Sequence, residues 1–360
     1  MAIEQLDIED FLNLAEERPL LDVRSPGEFL HAHIPPAFSF PLFTDEQRKI
    51  IGTAYKQQSR QVAVKIGLDY FSERMKSMIT DAEEIANKKI NTASNDNRIL
   101  IHCWRGGMRS RSVAWLLDLY GFKVFTLKGG YKAFRNWALH QFEKKYDLNI
   151  LGGYTGSGKT LILHEMQKNG EKVIDLERLA KHKGSAFGSI GEQSQPSQEM
   201  FENILAVELF KKSKPDYNSY DGKEKKDNSK FKIWLEDESR HIGTVGIPGT
   251  LWNNMRQSQL YFLDIPFEER LNYIISTYGA FDQKELVNSI MKIQKRLGGL
   301  ETKRAINYLL ENNNRECFSI LLNYYDKLYA NALLKRENVE AVLNKIPCKT
   351  VDIRNAGKLS

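Results

Sequence analysis

The stretch YDLNILGGYTGSGKTLILHEM, residues 146–166, passes from an apolar segment through a glycine-rich turn into a second, amphipathic segment. Within it, residues 153–160 (GYTGSGKT) match the P-loop pattern G-x-x-x-x-G-K-[ST] at every fixed position. The turn follows a predicted strand and precedes a predicted helix, which is the context in which this pattern binds phosphates. We therefore predict an α/β fold around a loop that binds a diphosphate or triphosphate group.

The residue types in this loop have separate tasks. Glycines let successive backbone N–H groups converge on phosphate oxygens, and the helix N-terminus adds positive potential. Lys159 would neutralise the outer phosphate, and the hydroxyl of Thr160 can hold Mg²⁺. The predicted diphosphate-binding residues are Gly153, Gly156, Ser157, Gly158, Lys159 and Thr160.

An acidic strand end accompanies the loop. The stretch FKIWLEDESR (231–240) is an apolar strand that finishes on Glu236, Asp237 and Glu238. Asp237 and Glu238 are predicted to hold a metal ion through water or to position other groups. The alternative is an acidic strand end without a role, and the sequence gives no certain metal site.

A second strand–turn–helix pattern surrounds a cysteine. The segment RILIHC (98–103) is a buried strand, and RSVAWLLDLYG (111–121) is a helix that ends at a glycine. The spacing from Cys103 to Arg109 is C-x5-R, and the converging N–H groups and arginines of such a loop favour the thiolate. The predicted catalytic set is Cys103, Arg105, Gly106, Gly107 and Arg109. The alternative is a buried structural cysteine.

Two strand–loop–helix openings about 50 residues apart predict two parallel-sheet α/β domains. We place the first at 1–145, with a helical insertion at about 44–90, and the second at 146–360. The lysine-rich segment 211–230 is predicted to be a mobile loop, and the chain from about residue 282 is predicted to be mainly helical.

Composition limits the function classes. The chain has 360 residues, 41% of them hydrophobic, and no run of roughly 18 apolar residues that would cross a membrane. Three widely spaced cysteines form neither a disulfide framework nor a metal cluster, which favours the cytoplasm. The net charge of +6 permits an anionic partner.

The cysteine domain resembles the rhodaneses. The stretches LLDVRSPGEFLHAHIPPAFSFPL (20–42) and LKGGYKAFR (127–135) are similar to their signatures, with departures at Ala32, Pro36 and Phe134. Rhodaneses carry sulfur as a cysteine persulfide. Their usual loop is C-x4-R, however, and the longer loop here resembles the rhodanese-fold phosphatases of the cell cycle. The loop alone leaves chalcogen and phosphoryl chemistry open.

A rhodanese-like domain followed by a P-loop NTPase-like domain resembles the tRNA 2-selenouridine synthases over most of the chain. The shared stretches beyond the two loops are IGTAYKQQ (51–58), DLERLAKHKGSAFG (175–188) and WLEDESRHIG (234–243). The resemblance implies a transferase that acts on tRNA with a 2-thiouridine wobble base, in the lysine, glutamate and glutamine acceptors. It would geranylate the sulfur with geranyl diphosphate and then replace the geranylthio group with selenium from selenophosphate.

The resemblance also suggests roles for other residues. No tightly bound cofactor is expected, and selenophosphate synthetase is a candidate donor protein. Cys103 would either carry the selenium or attack the prenylated base, and the sequence does not choose between them. The flexible segment with Gly184, Ser185 and Phe187 would flank the prenyl chain, although a helix-ending loop explains it equally well.

The tRNA needs a cationic surface. In KIQKRLGGLETKR (292–304), five cations face one acid, and such clusters neutralise RNA phosphates. The predicted tRNA-binding residues are Lys292, Lys295, Arg296, Lys303 and Arg304. The alternative is an ordinary solvated helix face, and 55–65 is a second basic candidate. Tyrosines 308, 324, 325 and 329 could stack on bases, but their helical spacing favours the core.

Two other functions fit parts of the sequence. A rhodanese-fold phosphatase fused to a nucleotide-dependent kinase-like domain would explain each loop separately, but not the shared stretches between them. A non-catalytic module that uses ATP as a conformational ligand has no need to keep Cys103, Arg109, Lys159 and Thr160 together.

Overall fold

The computed structural model describes residues 3–89, 96–214 and 232–359. It divides into two compact units: residues up to Gln141 together with 202–204, and the remainder from Phe142 onwards. Of the predicted loop 211–230, residues 211–212 end a helix, whereas residues 215–230 lie outside the described part of the chain.

The first unit contains a five-stranded parallel sheet in the order β1-β5-β4-β2-β3. Its strands are β1 (Glu4–Leu6), β2 (Leu20–Asp22), β3 (Phe38–Ser39), β4 (Arg98–His102) and β5 (Lys123–Leu127). Its helices are α1 (Ile8–Glu17), α2 (Pro26–His31), α3 (Asp45–Gln57), α4 (Arg60–Lys89), α5 (Met108–Tyr120) and α6 (Gly130–Gln141).

The central strand β4 explains why the cysteine lies where it does. Residues 99–102 are buried, as expected for a parallel strand covered on both faces. The strand ends at His102, so Cys103 begins the loop at the carboxyl edge of the sheet, and α5 follows at Met108. Helices α3 and α4 occupy the predicted insertion, and a capping box at Thr44 begins α3.

The second unit also has a five-stranded parallel sheet, in the order β12-β11-β6-β8-β7. Its strands are β6 (Leu148–Gly153), β7 (Lys172–Ile174), β8 (Ile233–Glu236), β11 (Gln259–Asp264) and β12 (Leu343–Pro347), with a small hairpin of β9 (His241–Ile242) and β10 (Val245–Gly246). Its helices are α7 (Lys159–Lys168), α8 (Leu176–Ala180), α9 (Gln198–Lys212), α10 (Gly249–Gln257), α11 (Phe267–Tyr278), α12 (Gln283–Leu297), α13 (Gly299–Leu310), α14 (Asn314–Leu334) and α15 (Val339–Val342), followed by a 3₁₀ helix (Ile353–Lys358).

Strand β6 is the middle of this sheet and pairs with both β8 and β11. Parallel pairing therefore brings the P-loop, which follows β6, and the acidic end of β8 to the same edge of the sheet. The two sheets confirm the predicted pair of α/β folds with a helical C-terminal part. Strand β12 was not predicted, because its half-exposed residues at the sheet edge lack the apolar alternation of a buried strand.

Candidate functional site

The backbone of the cysteine loop packs against the start of α6. Tyr131 N donates a hydrogen bond to Cys103 O at 2.8 Å, and Lys132 N donates to Trp104 O at 3.0 Å. A Cβ at Gly130, whose φ is +60°, would lie 2.3 Å from Cys103 O and 2.5 Å from Gly106 N. Only glycine at position 130 therefore permits this close approach, which fixes the shape of the loop.

The Cys103 thiol is buried, with 3% of the residue exposed, and its Sγ lies 3.2 Å from Ser110 Oγ. Burial by itself raises the pKa of this thiol. Hydrogen bonds from the Ser110 hydroxyl and the backbone N–H groups of Ser110 and Arg105, together with the charge of Arg109, outweigh burial and lower the pKa overall. The loop thus favours the thiolate, the nucleophilic form of cysteine.

The two arginines of the loop differ in their environments. Arg109 Nη1 donates to Glu28 Oε2 at 2.9 Å, and Arg48 contacts the same carboxylate oxygen at 3.0 Å. Glu28 is held in turn by Ser25 in the capping box of α2, so Arg109 has a fixed position beside the thiol. Arg105 is exposed and contributes its backbone N–H near the sulfur.

A buried polar cluster supports the strand ends behind the loop. Arg24 and Asp22 form an ion pair at 2.6 Å with almost no exposure, and the Arg24 guanidinium lies 3.8 Å from the ring centroid of Tyr131. His102 is also fully buried, and burial lowers its pKa to about 4. The imidazole is therefore neutral at physiological pH.

The P-loop has the backbone that phosphate binding requires. Gly156 and Gly158 have φ of +81° and +72°, and Gly158 is the residue directly before α7. A Cβ at Gly156 would meet Arg270 O at 3.0 Å, and one at Gly158 would meet Val351 Cγ1 at 2.6 Å. Lys159 Nζ donates to Gly153 O at 3.1 Å, which holds the cation over the loop.

A carboxylate that the sequence did not assign lies against the P-loop. Thr160 Oγ1 donates to Glu177 Oε2 at 3.2 Å, and Glu177 belongs to α8. Burial is the main cause that raises the pKa of Glu177 above its ordinary value, and the positive charge of Lys159 opposes it. Burial and the negative charge of Glu177 likewise raise the pKa of Glu238.

Two residues at the acidic end of β8 have separate structural tasks. Glu236 is fully buried, and its Oε2 accepts from Leu176 N at 2.9 Å, which anchors the start of α8. Asp237 accepts hydrogen bonds from Tyr329 Oη at 2.6 Å and Arg336 Nη2 at 3.1 Å. Both Asp237 oxygens are thus engaged by neighbouring side chains, which fits positioning better than metal binding.

The P-loop opens into a cavity of about 1330 Å³ within the second unit. The predicted residues Gly184, Ser185 and Phe187 line it, together with Glu238. Part of its wall is apolar and aromatic: it includes Ile274, Tyr278, Phe318, Leu321, Leu322 and Tyr325. A Cβ at Gly184 would lie 2.7 Å from Glu238 Oε2, so the glycine segment packs directly on the acidic strand end.

The predicted tRNA-binding cations lie on α12 and α13, and all five are exposed. Arg304 pairs with Glu301 at 3.0 Å, whereas Arg296 also lines the cavity. Tyr324, Tyr325 and Tyr329 line the cavity too, and Tyr329 is additionally tied to the P-loop because it accepts from Gly153 N at 3.3 Å.

Sequence reasoning assigned no role to Ser110, Glu28, Glu177 and Arg336, and it favoured a core position for Tyr329 without its contact to the P-loop. Two of them carried a local signal, since Glu28 falls in the rhodanese-like stretch 20–42 and Glu177 in the shared stretch 175–188. Across the described ranges, no group of three or more histidine, cysteine, aspartate or glutamate side chains has a metal-binding arrangement. No helix among the described residues is long and apolar enough to span a membrane.

Comparison with known proteins places both units in described families. Residues 7–136 match the rhodanese-like domain, and residues 146–346 match the domain described as tRNA 2-selenouridine synthase AAA domain. A solved N-terminal domain of a protein titled as ATP/GTP-binding, from Clostridium difficile 630, is 37% identical and covers 38% of this chain and 99% of its own, with a TM-score of 0.34.

Curated relatives share one description, tRNA 2-selenouridine synthase. The protein from Bdellovibrio bacteriovorus is 32% identical over 93% of this chain and 94% of its own length. That from Pseudomonas putida is 32% identical over 93% of both chains. The match to the protein from Nitrosomonas europaea is 35% identical over 73% of this chain and 64% of that protein.

Proposed function

The chain belongs to the tRNA 2-selenouridine synthase family, and from that premise we propose that it converts a 2-thiouridine wobble base of tRNA into 2-selenouridine in two steps. One observation supports this proposal above the others: the P-loop and an apolar, aromatic wall share one cavity of about 1330 Å³. A diphosphate on the loop and a prenyl chain on that wall would both be bound, which suits geranyl diphosphate.

In the first step, the sulfur of 2-thiouridine attacks C1 of geranyl diphosphate. The S–C bond forms, the C–O bond breaks, diphosphate leaves and the base loses its N3 proton. The P-loop N–H groups and Lys159 stabilise the negative charge that develops on the diphosphate. Phe187 and Tyr278, whose ring centroids are 6.3 Å apart, would cover the prenyl chain and exclude water.

A Mg²⁺ ion would fit at the edge of the P-loop. Thr160 Oγ1 and Glu177 Oε2 are 3.2 Å apart and are the hard oxygen ligands that Mg²⁺ prefers. The ion would neutralise charge on the departing diphosphate. Asp237 does not fit as a ligand, because Tyr329 and Arg336 already occupy its oxygens.

In the second step, the Cys103 thiolate attacks C2 of the geranylthio base and displaces geranylthiolate. The selenium of selenophosphate then attacks C2 and releases the Cys103 thiolate, and water cleaves the Se–P bond to give 2-selenouridine and phosphate. Each exchange is redox-neutral. Selenium carriage as a selenosulfide on Cys103 would instead need an oxidant, because selenophosphate selenium is already at the selenide level.

The cysteine loop suits this step for two physical reasons. Its hydrogen bonds and the charge of Arg109 lower the pKa of Cys103, which favours the nucleophilic thiolate. Its backbone N–H groups and Arg109 can accept a tetrahedral anion such as selenophosphate.

The exposed cations of α12 and α13 would bind the phosphates of the tRNA, which would be a lysine, glutamate or glutamine acceptor. A selenophosphate synthetase would supply the donor, and we expect the reaction to occur in the cytoplasm, with tRNA.

The test uses the full chain and an anticodon stem–loop that carries 2-thiouridine. With geranyl diphosphate alone, mass spectrometry of the nucleosides should detect S-geranyl-2-thiouridine, and added selenophosphate should convert it to 2-selenouridine. Lys159→Ala should block the first product, whereas Cys103→Ser should let it accumulate. The proposal fails if Cys103→Ser produces 2-selenouridine at the normal rate. Turnover of a generic aryl phosphate that is lost in Cys103→Ser would favour the phosphatase alternative.

A further inference from the structure

A second apolar cavity, of about 590 Å³, lies in the first unit between α3, α4 and the first turn of α5. We call it the insertion groove, because α3 and α4 form the insertion at 44–90. Several large apolar side chains that line it are exposed: Tyr55 by 55%, Leu68 by 57% and Met108 by 51%. Leu42, Phe43 and Phe71 form its deeper wall.

Two glycines in helix interiors line the insertion groove, Gly52 in α3 and Gly67 in α4. Neither has a positive φ, so neither is required by the backbone. A Cβ at Gly52 would meet nothing within 4 Å, and one at Gly67 would make an ordinary contact with Phe43 at 3.5 Å. Alanine would fit at both sites and would stabilise the helices. The missing side chains are better explained by a need to keep the groove open.

The groove is continuous with the cysteine loop. Met108 and Arg109 line it, and Arg109 is the arginine whose charge lowers the pKa of Cys103. Exposed cations also line it, Arg48, Lys49 and Lys56. An apolar floor beside a nucleophile with a cationic rim suits a ligand that is apolar at one end and attached to a polyanion at the other.

We propose that the insertion groove binds the prenyl chain of the S-geranylated wobble base while Cys103 replaces the geranylthio group. This inference rests on the proposed function, in which the S-geranylated RNA is the substrate of the cysteine step and combines the two chemistries that the groove offers. The groove would align C2 of the base with the thiolate, and its apolar wall would hold the departing geranylthiol. The P-loop cavity would serve the first step only.

The test fills the groove without touching the cysteine loop. Gly52→Leu introduces a side chain into open space, and Gly357→Leu is the matched control, since a Cβ there also meets nothing within 4 Å. Fluorescence anisotropy would compare anticodon stem–loops with S-geranyl-2-thiouridine and with unprenylated 2-thiouridine. We expect Gly52→Leu to weaken binding of the prenylated RNA by about tenfold or more and to leave binding of the other RNA unchanged. Thermal melting would show that both variants remain folded.

A kinetic experiment separates this inference from the proposed function. Wild type and Gly52→Leu would receive S-geranylated stem–loop with selenophosphate, and in parallel 2-thiouridine stem–loop with geranyl diphosphate. Slower selenation with normal geranylation supports the groove. If wild type and Gly52→Leu selenate the RNA at equal rates, the inference is overturned while the proposed function stands. The inference is also overturned if Gly52→Leu changes the oligomeric mass of the protein but not its affinity for either RNA. If wild type does not selenate the prenylated RNA, the proposed function is refuted and the inference falls with it.

Discussion

The contact between Asp237 and Arg336 allows a quantitative test of how the P-loop is supported. Arg336 is buried, with no exposure of its side chain, and its Nη2 lies 3.1 Å from Asp237 Oδ1. Within the described residues, its Nε and Nη1 atoms have no hydrogen-bond partner, so the carboxylate is the main compensation for the buried charge. Asp237→Asn keeps the volume of the side chain and removes the charge.

The expected size follows from distance and burial. Two unit charges 3.1 Å apart interact by about 5 kcal/mol at an effective dielectric constant of 20, and desolvation of the guanidinium offsets part of this. Removal of one partner from a buried pair costs about 3–5 kcal/mol. We expect Asp237→Asn to reduce the free energy of unfolding by about 3 kcal/mol, which lowers the Tm of the second unit by about 6–12 °C.

Calorimetry of the full chain is the measurement. If geranyl diphosphate binds the second unit as proposed, it should raise the Tm of that unit and so identify its transition. Adding Arg336→Met to Asp237→Asn should restore most of the loss, with a coupling energy of about 2–3 kcal/mol. The surface pair of Asp352 and Arg354 supplies the control, and Asp352→Asn should leave the Tm nearly unchanged. The argument is refuted if the changes in unfolding free energy caused by Asp237→Asn and Arg336→Met add in the double variant within about 0.5 kcal/mol.

Three further outcomes are expected. Ser110→Ala removes a hydrogen bond to the thiolate and should raise the pH at which alkylation of Cys103 reaches half its maximal rate; an unchanged pH profile would contradict this role. Lys159→Ala should weaken binding of geranyl diphosphate about 100-fold in calorimetric titration, and equal affinity would remove the lysine from the site. Burial raises the pKa of Glu238, so the folded protein binds the proton of this carboxyl more tightly than the unfolded chain does. The stability of the wild type should therefore fall as the pH rises from about 4.5 through the raised pKa. The Tm of Glu238→Gln should fall less than that of the wild type over this pH range. Parallel plots of Tm against pH for the two proteins would contradict the prediction.

The P-loop and the cysteine loop were predictable because each is local: the spacing of glycine, lysine, cysteine and arginine specifies a strand, a turn and a helix N-terminus. The contacts that tune them are not local. Glu177 reaches Thr160 only because α7 and α8 both begin at the carboxyl edge of one sheet, and Glu28 reaches Arg109 from 81 positions away. No sequence window contains both partners, so spacing could not reveal them.

Burial of single polar side chains was equally hidden. Arg336 follows α14 in an ordinary mixed segment, and nothing in its neighbours distinguishes it from a solvated arginine. Its role depends on Asp237 and Tyr329, which come from a strand end and a distant helix. Strand β12 was missed for the opposite reason, since its edge position leaves its pattern too polar to recognise.

The glycine at position 130 has a practical consequence for redesign. Because a side chain at this position would collide with the Cys103 carbonyl and the Gly106 amide, the first turn of α6 limits how far the backbone of the cysteine loop can be rebuilt. A laboratory that seeks to change the chemistry of this loop would gain little from substituting Gly130. Met108, which is half exposed and lines the insertion groove, is where a mutagenesis library should start.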